Sequence, residues 1–233
     1  LWQPDGILVA DRNYSSVMDF DLGLDALGNA IVVYRKNMVG GGDGIVVTSV
    51  DETGSINWNA TVQGGGAFVA SPVVSITTTL IVVGWISDEV SRFQQLGLDG
   101  TQYWTPVVEI SDPAGGSMQV ADIHPSLDGS VVASFVQYTT FWGTKRLKAQ
   151  RFDVDGNALW PELVSVMNDN SLQIGSYPDF VSDGEGGGFF TWYGVSPLQS
   201  YAAHILSDGT HGYGDAVQVA SSFGSTERVN PVG

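Results

Sequence analysis

The stretch RFDVDGNALW, Arg151–Trp160, decides the fold, because it recurs. The same pattern stands in VDETGSINW (Val50–Trp58), LGLDGTQYW (Leu96–Trp104) and ILSDGTHGY (Ile205–Tyr213). In each copy an aromatic follows a turn glycine by four residues: Gly54 and Trp58, Gly100 and Trp104, Gly156 and Trp160, Gly209 and Tyr213. The glycines recur at intervals of 46, 56 and 53 residues. A period of about 50 residues is in the range of propeller blades.

Period-two segments flank every copy. IVVTSV, RFQQLGL, LKAQRFDV and YAAHILS precede the turns, and NATV, TPVVEI, PELVSV and DAVQVA follow the aromatics. Alternation on both sides of a glycine-containing turn reads as a β-hairpin. A second hairpin lies upstream in each repeat, where LDALGNA, SITTT, SLDGS and SDGEGGG lead into IVVYR, IVVGW, VVASFV and FFTWYG. Aromatics again keep register there, with Tyr34, Phe135 and Trp192 each six residues after Gly28, Gly129 and Gly186. Each repeat therefore has four short strands. Such a unit cannot bury both faces alone, so copies must stack. The expected fold is all-β: one β-propeller domain over residues 1–233, of four-stranded antiparallel blades. A two-sheet sandwich is the competitor, but nothing in a sandwich demands this period.

Four repeats are complete, at about 15–65, 66–115, 116–170 and 171–222. Residues 1–14 supply an aromatic, Trp2, and a fourth-strand segment, while 223–233 resemble a first strand. About five blades are expected, the fifth split between the ends, in a ring or as part of a longer propeller.

Composition agrees with many turns and few charged faces. Thirty of the 233 residues are glycine, and charged residues make up 15%, against about 25% in ordinary globular chains. Nine Lys and Arg face 25 Asp and Glu, giving a net charge of −16. Nucleic acid is held by basic stripes that displace counterions, and no such stripe is present. Anionic membrane surfaces are disfavoured by the same sign argument. The chain contains no cysteine, which excludes disulfides, thiolate metal sites and cysteine nucleophiles. No apolar run reaches the length of a membrane-spanning helix.

The repeat RFDVDGNALW, with the downstream SDGEGGGFFTWYG, resembles β-propeller repeats of large secreted or surface proteins of bacteria, including the Bacteroidetes group. The resemblance covers nearly the whole chain and consists of turn and core positions. It implies a propeller and an exported, extracellular or cell-surface location, and implies no activity. The turn is also similar to the Asp-box of sialidase-type propellers, S-x-D-x-G-x-x-W. It departs from that pattern because the aromatic follows glycine by four residues and the acidic residue adjoins glycine in Asp99–Gly100, Asp155–Gly156 and Asp208–Gly209. Six scattered arginines do not supply the cluster that a sialidase needs for its substrate carboxylate.

Four features are candidates for chemistry. Asp153, Asp155 and Asn157 alternate oxygen side chains in DVDGN, either as a hairpin turn or as part of a calcium loop; no other cofactor is expected. Trp2, Trp58, Trp104, Trp160 and Tyr213 are expected as wedges between blades, with sugar-stacking platforms as the alternative. The loop QYTTFWGTKRLK carries Tyr138, Phe141 and Trp142 beside Lys145, Arg146 and Lys148, an aromatic surface with local positive charge and an interaction-site candidate. In the innermost-strand column stand Asp19, Asp122 and Asp179. Carboxylates converging on one axis would hold a cation, ordered water or a neighbouring backbone.

His124, His204 and His211 form no zinc-ligand spacing, and His204 shares a column with Gln95 and Arg151 that reads as solvent-facing. No nucleophile elbow or phosphate-binding loop occurs. The expected function is a non-catalytic binding or adhesion module taking a glycan or a protein at the blade loops. A glycoside hydrolase or lyase using Asp19, Asp122 and Asp179 is the second reading, and a structural segment of a longer surface protein the third.

Overall fold

The computed structural model describes residues 6–10, 20–65, 68–167, 169–195, 199–214 and 216–219. All regular structure among them is β, and the strands fall into four antiparallel sheets of four. The chain divides into two units, Leu1–Ile110 and Ser111–Gly233.

The first unit holds two sheets. One is β1 (Phe20–Leu24), β2 (Ala30–Asn37), β3 (Asp43–Val50) and β4 (Ile56–Gln63); the other is β5 (Val69–Ile76), β6 (Leu80–Ser87), β7 (Val90–Gly97) and β8 (Val108–Ile110). The second unit holds β9 (Ser117–Pro125), β10 (Val131–Tyr138), β11 (Arg146–Phe152) and β12 (Val164–Ser165), then β13 (Phe180–Ser182), β14 (Gly188–Tyr193), β15 (Ser200–Ile205) and β16 (Val217–Gln218). In every sheet the strands pair in chain order. These are blades of the β-propeller type. The split blade expected from residues 1–14 and 223–233 falls on positions outside the described residues, apart from 6–10, which carry no strand.

Each repeat becomes two hairpins, and the second turn of every repeat has one geometry. Gly54, Gly100, Gly156 and Gly209 have φ of 88°, 84°, 83° and 84°, and each amide donates to the carbonyl three residues earlier. This is the left-handed position of a bulged hairpin turn, which glycine fills without steric cost.

Blades within a unit meet through apolar faces. In the first unit Ile31, Val33, Ile45 and Val47 pack with Ile81, Val83, Trp85 and Leu96. In the second, Val132, Val136, Leu147 and Ala149 pack with Phe180, Phe190, Trp192, Ala203 and Ile205. Tyr34, Phe135 and Trp192, the three aromatics at matching distance from the upstream turns, are all buried.

The wedge aromatics add a polar contact to these interfaces. Trp58 Nε1 donates to Leu98 O at 2.7 Å, and Trp160 Nε1 donates to Ser207 O at 2.9 Å. In both cases the indole lies against the turn glycine two residues further on, Gly100 or Gly209. Trp104 is buried, whereas Tyr213 is 56% exposed and touches His204, with ring centroids 5.7 Å apart. Trp2 lies outside the described residues.

Candidate functional site

A carboxylate on the first strand of a blade links it to the next blade of the same unit. Asp122 Oδ1 accepts from its neighbour Ile123 N at 2.8 Å, while Oδ2 accepts from Phe180 N of the next blade at 3.1 Å. Asp21 repeats this arrangement in the first unit, with Leu22 N on Oδ1 and Val74 N on Oδ2, both at 2.8 Å. Asp21 and Asp122 each stand seven residues before their turn glycine, as does Asp179. The first-repeat member of this column is therefore Asp21, because distance from the turn sets strand register. Asp19 lies outside the described residues.

One histidine joins this link. His124 Nε2 donates to Asp122 Oδ2 at 2.9 Å and its ring meets Phe180 edge-on at 4.7 Å. Burial disfavours the imidazolium, but the Asp122 hydrogen bond and the charges of Asp122 and Asp179 outweigh it, raising the imidazole above its ordinary value. His204 Nε2 donates to Asp183 Oδ2 at 3.0 Å, and its ring stacks on Phe189 at 4.1 Å. The solvent-facing column expected for His204 is instead largely covered: Gln95 is buried, and the Arg151 side chain is 11% exposed. Alternation marks solvent only where one sheet face is wet, and His204 is covered by the Phe189 ring and by Asp183.

The turn carboxylates are absorbed by their own turns. Asp153 Oδ1 accepts from Asp155 N at 2.9 Å and Asn157 N at 2.8 Å, and Oδ2 from Asn157 Nδ2 at 3.0 Å. Asp51, Asp99, Asp128, Asp183 and Asp208 likewise accept backbone amides from within their turns. Among the described residues no three His, Asp or Glu side chains group as a metal site.

The loop joining β10 to β11 is built differently. Phe141 and Trp142 are 57% and 80% exposed and meet edge to face, with centroids 5.0 Å apart and planes at 89°. Against Phe141, Lys145 is only 4% exposed. Its ammonium lies 4.4 Å from the Tyr138 ring centroid and 5.4 Å from that of Phe141, and donates to Phe141 O at 2.5 Å. Burial lowers the Lys145 pKa from its ordinary value. The backbone is tied down as well, since Gly143 N donates to Thr140 O, Lys145 N to Ser171 Oγ and Leu172 N to Lys145 O.

The exposed positive charge expected here is therefore not presented by Lys145. Lys148 Nζ donates to Ser165 Oγ at 3.2 Å, and Arg146 is half-buried with its Nη1 enclosed. The surface of the tip is Thr139, Thr140, Phe141, Trp142 and Thr144, all exposed and uncharged. Sequence reasoning found the aromatics but not the brace, because nothing in TTFWGTK shows that its lysine folds back under the rings.

No protein-family model matches the chain, and no curated protein matches it in sequence. Among solved structures it is similar to the ACO/RPE65 chimera, at 12% identity and TM-score 0.48, over 91% of this chain and 54% of that one. It is also similar to Trypanosoma rangeli sialidase in complex with the inhibitor DANA, at 12% identity and TM-score 0.49, over 94% of this chain and 40% of that one. The chain thus spans about half of these proteins or less, and neither likeness carries an activity over to it.

Proposed function

We propose that this chain is a non-catalytic binding module of an exported protein, working at the cell surface or outside the cell, with a glycan or a protein as its ligand at the blade loops. The observation that supports this is the exposed pair Phe141 and Trp142, in which a buried lysine braces Phe141 and Phe141 in turn packs on Trp142. Exposed aromatics cost solvation and are characteristic of interaction sites. The resemblance to surface-protein repeats supports the location, and the net charge of −16 suits a soluble protein whose partner is not nucleic acid.

The hydrolytic reading is weaker on a specific ground. A nucleophile or general acid needs an oxygen turned toward substrate, and both oxygens of Asp122 already accept hydrogen bonds from Ile123, Phe180 and His124.

The test is surface binding of the intact chain to immobilised glycans and extracellular proteins, beside the double variant F141A/W142A. Binding lost in the variant at unchanged melting temperature supports the proposal. Equal binding by both proteins overturns it.

A further inference from the structure

We infer that the β10–β11 tip takes the ring of an uncharged saccharide, stacked on Trp142 and hydrogen-bonded by the flanking threonines. This rests on the binding-module reading above and narrows its ligand to one chemical class.

The argument begins with the cation. A site for sialylated, sulfated or uronic sugars needs a basic group turned to the ligand, and guanidinium or ammonium groups supply it. Lys145 belongs to this loop but donates to Phe141 O and lies against the rings of Tyr138 and Phe141, 4% exposed. Its charge is spent inside the protein. An anionic ligand would meet an uncharged tip on a chain of net charge −16, which repels it at long range.

The groups that do face water are complementary to an uncharged polyol. Thr139, Thr140 and Thr144 offer hydroxyls that both donate and accept. Phe141 and Trp142 offer apolar ring surface, with their planes set at 89°. The C–H groups on one side of a pyranose are apolar and carry slight positive charge, which suits the negative face of an aromatic ring.

Area separates a sugar from a protein partner. An aromatic side chain buries about 150–250 Å² when fully covered, so this pair has roughly 200–300 Å² left to bury. An ordinary protein partner takes about 800 Å² from each side. The tip is the size of one or two sugar rings. The brace completes the case: Lys145 and the Gly143–Thr140 hydrogen bond hold Phe141 and the turn backbone, and Trp142 packs on Phe141, so less ordering entropy is lost on binding.

The experiment probes the intact 233-residue chain, with W142A and W142F, on an array of neutral oligosaccharides, an array of sialylated and sulfated ones, and a panel of extracellular proteins. Melting curves establish that each variant is folded. The expected result is binding to neutral saccharides that falls about tenfold or more in W142A, the equivalent of about 1.4 kcal/mol, and returns in W142F. Trp142-dependent binding on the anionic array alone overturns the uncharged class. Trp142-dependent binding on the protein panel alone overturns the saccharide and leaves the binding-module reading standing. No Trp142-dependent binding on any of the three removes both.

Discussion

Trp160 donates its indole N–H to the carbonyl of Ser207 in the following blade, at 2.9 Å, and so lies where a side chain on Gly209 would have to go. A Cβ at Gly209 would come within 3.0 Å of the Trp160 ring and 3.1 Å of Val164, and at Gly100 within 2.9 Å of the Trp58 ring. The turn glycine is thus required twice, by its φ and by the tryptophan of the blade before it.

Three alanine variants separate those two requirements. Gly28 has φ of 84°, as do Gly100 and Gly209, but has nothing within 4 Å of an added Cβ. G28A is expected to cost about 1 kcal/mol from backbone strain alone, and G100A and G209A about 2 kcal/mol or more because the indole must also move. Urea unfolding midpoints check the ranking, and equal losses at all three sites would show that the indole contact is not limiting. In the same assay W160A is expected to cost about 3–5 kcal/mol.

Asp122 should govern the titration of His124. With its pKa raised by Asp122 and Asp179 above the ordinary 6.5, the imidazolium stabilises the fold at pH below that ordinary value. The contribution is lost as pH rises through the folded value. The NMR titration of His124 should have its midpoint above 6.5, and in D122N the midpoint should fall. An unchanged midpoint in D122N would refute the pairing. D122A should in addition cost about 1–3 kcal/mol, because Phe180 N loses its acceptor.

Acid should loosen the turns before it reaches the cores. Asp51, Asp99, Asp128, Asp153, Asp183 and Asp208 all have carboxyls held below the ordinary 3.8. The Thr53, Ser130 and Thr210 hydroxyls lead at Asp51, Asp128 and Asp208, and the Thr101 amide at Asp99. At Asp153 and Asp183 burial opposes the shift, but hydrogen bonds led by those from Asn157 and His204 outweigh it. Depressed folded values give stability that is present above 3.8 and lost as pH falls through them. Relative to pH 5, melting temperature should therefore fall steeply below about pH 4; no fall down to pH 2.5 would contradict it.

The binding tip should be separable from stability. Trp142 is 80% exposed and its removal leaves no cavity, so W142A should change unfolding free energy by no more than about 0.5 kcal/mol. Lys145 carries the opposite expectation, because K145A removes a buried stem and frees the Phe141 carbonyl. A loss of about 1–2 kcal/mol is expected, together with broadened resonances of Phe141 and Trp142. Sharp, unshifted signals would mean that the brace is not needed.

The blades were legible because Gly100, Gly156 and Gly209 stand at fixed spacing from their aromatics, and a turn that needs positive φ leaves a glycine in the sequence. In the first repeat the linking carboxylate stands two residues after the expected Asp19. Counting back seven residues from Gly28 leads to Asp21, whose carboxylate takes the amide of Val74. The pairing of His204 with Asp183 and the folding of Lys145 beneath its rings depend on side-chain torsions. Neither periodicity nor composition records these.

Because the strands of each sheet pair in chain order, every strand-to-strand ladder among the described residues lies within one repeat. Slow folding of β proteins comes mainly from closing long loops between distant strands, and hairpins spare this chain that step. A blade can close once its fourth strand has left the ribosome, and can wait for the next one to cover its tryptophan. Genetic duplication or loss of one whole repeat would likewise rethread nothing, which makes blade number the trait most free to drift.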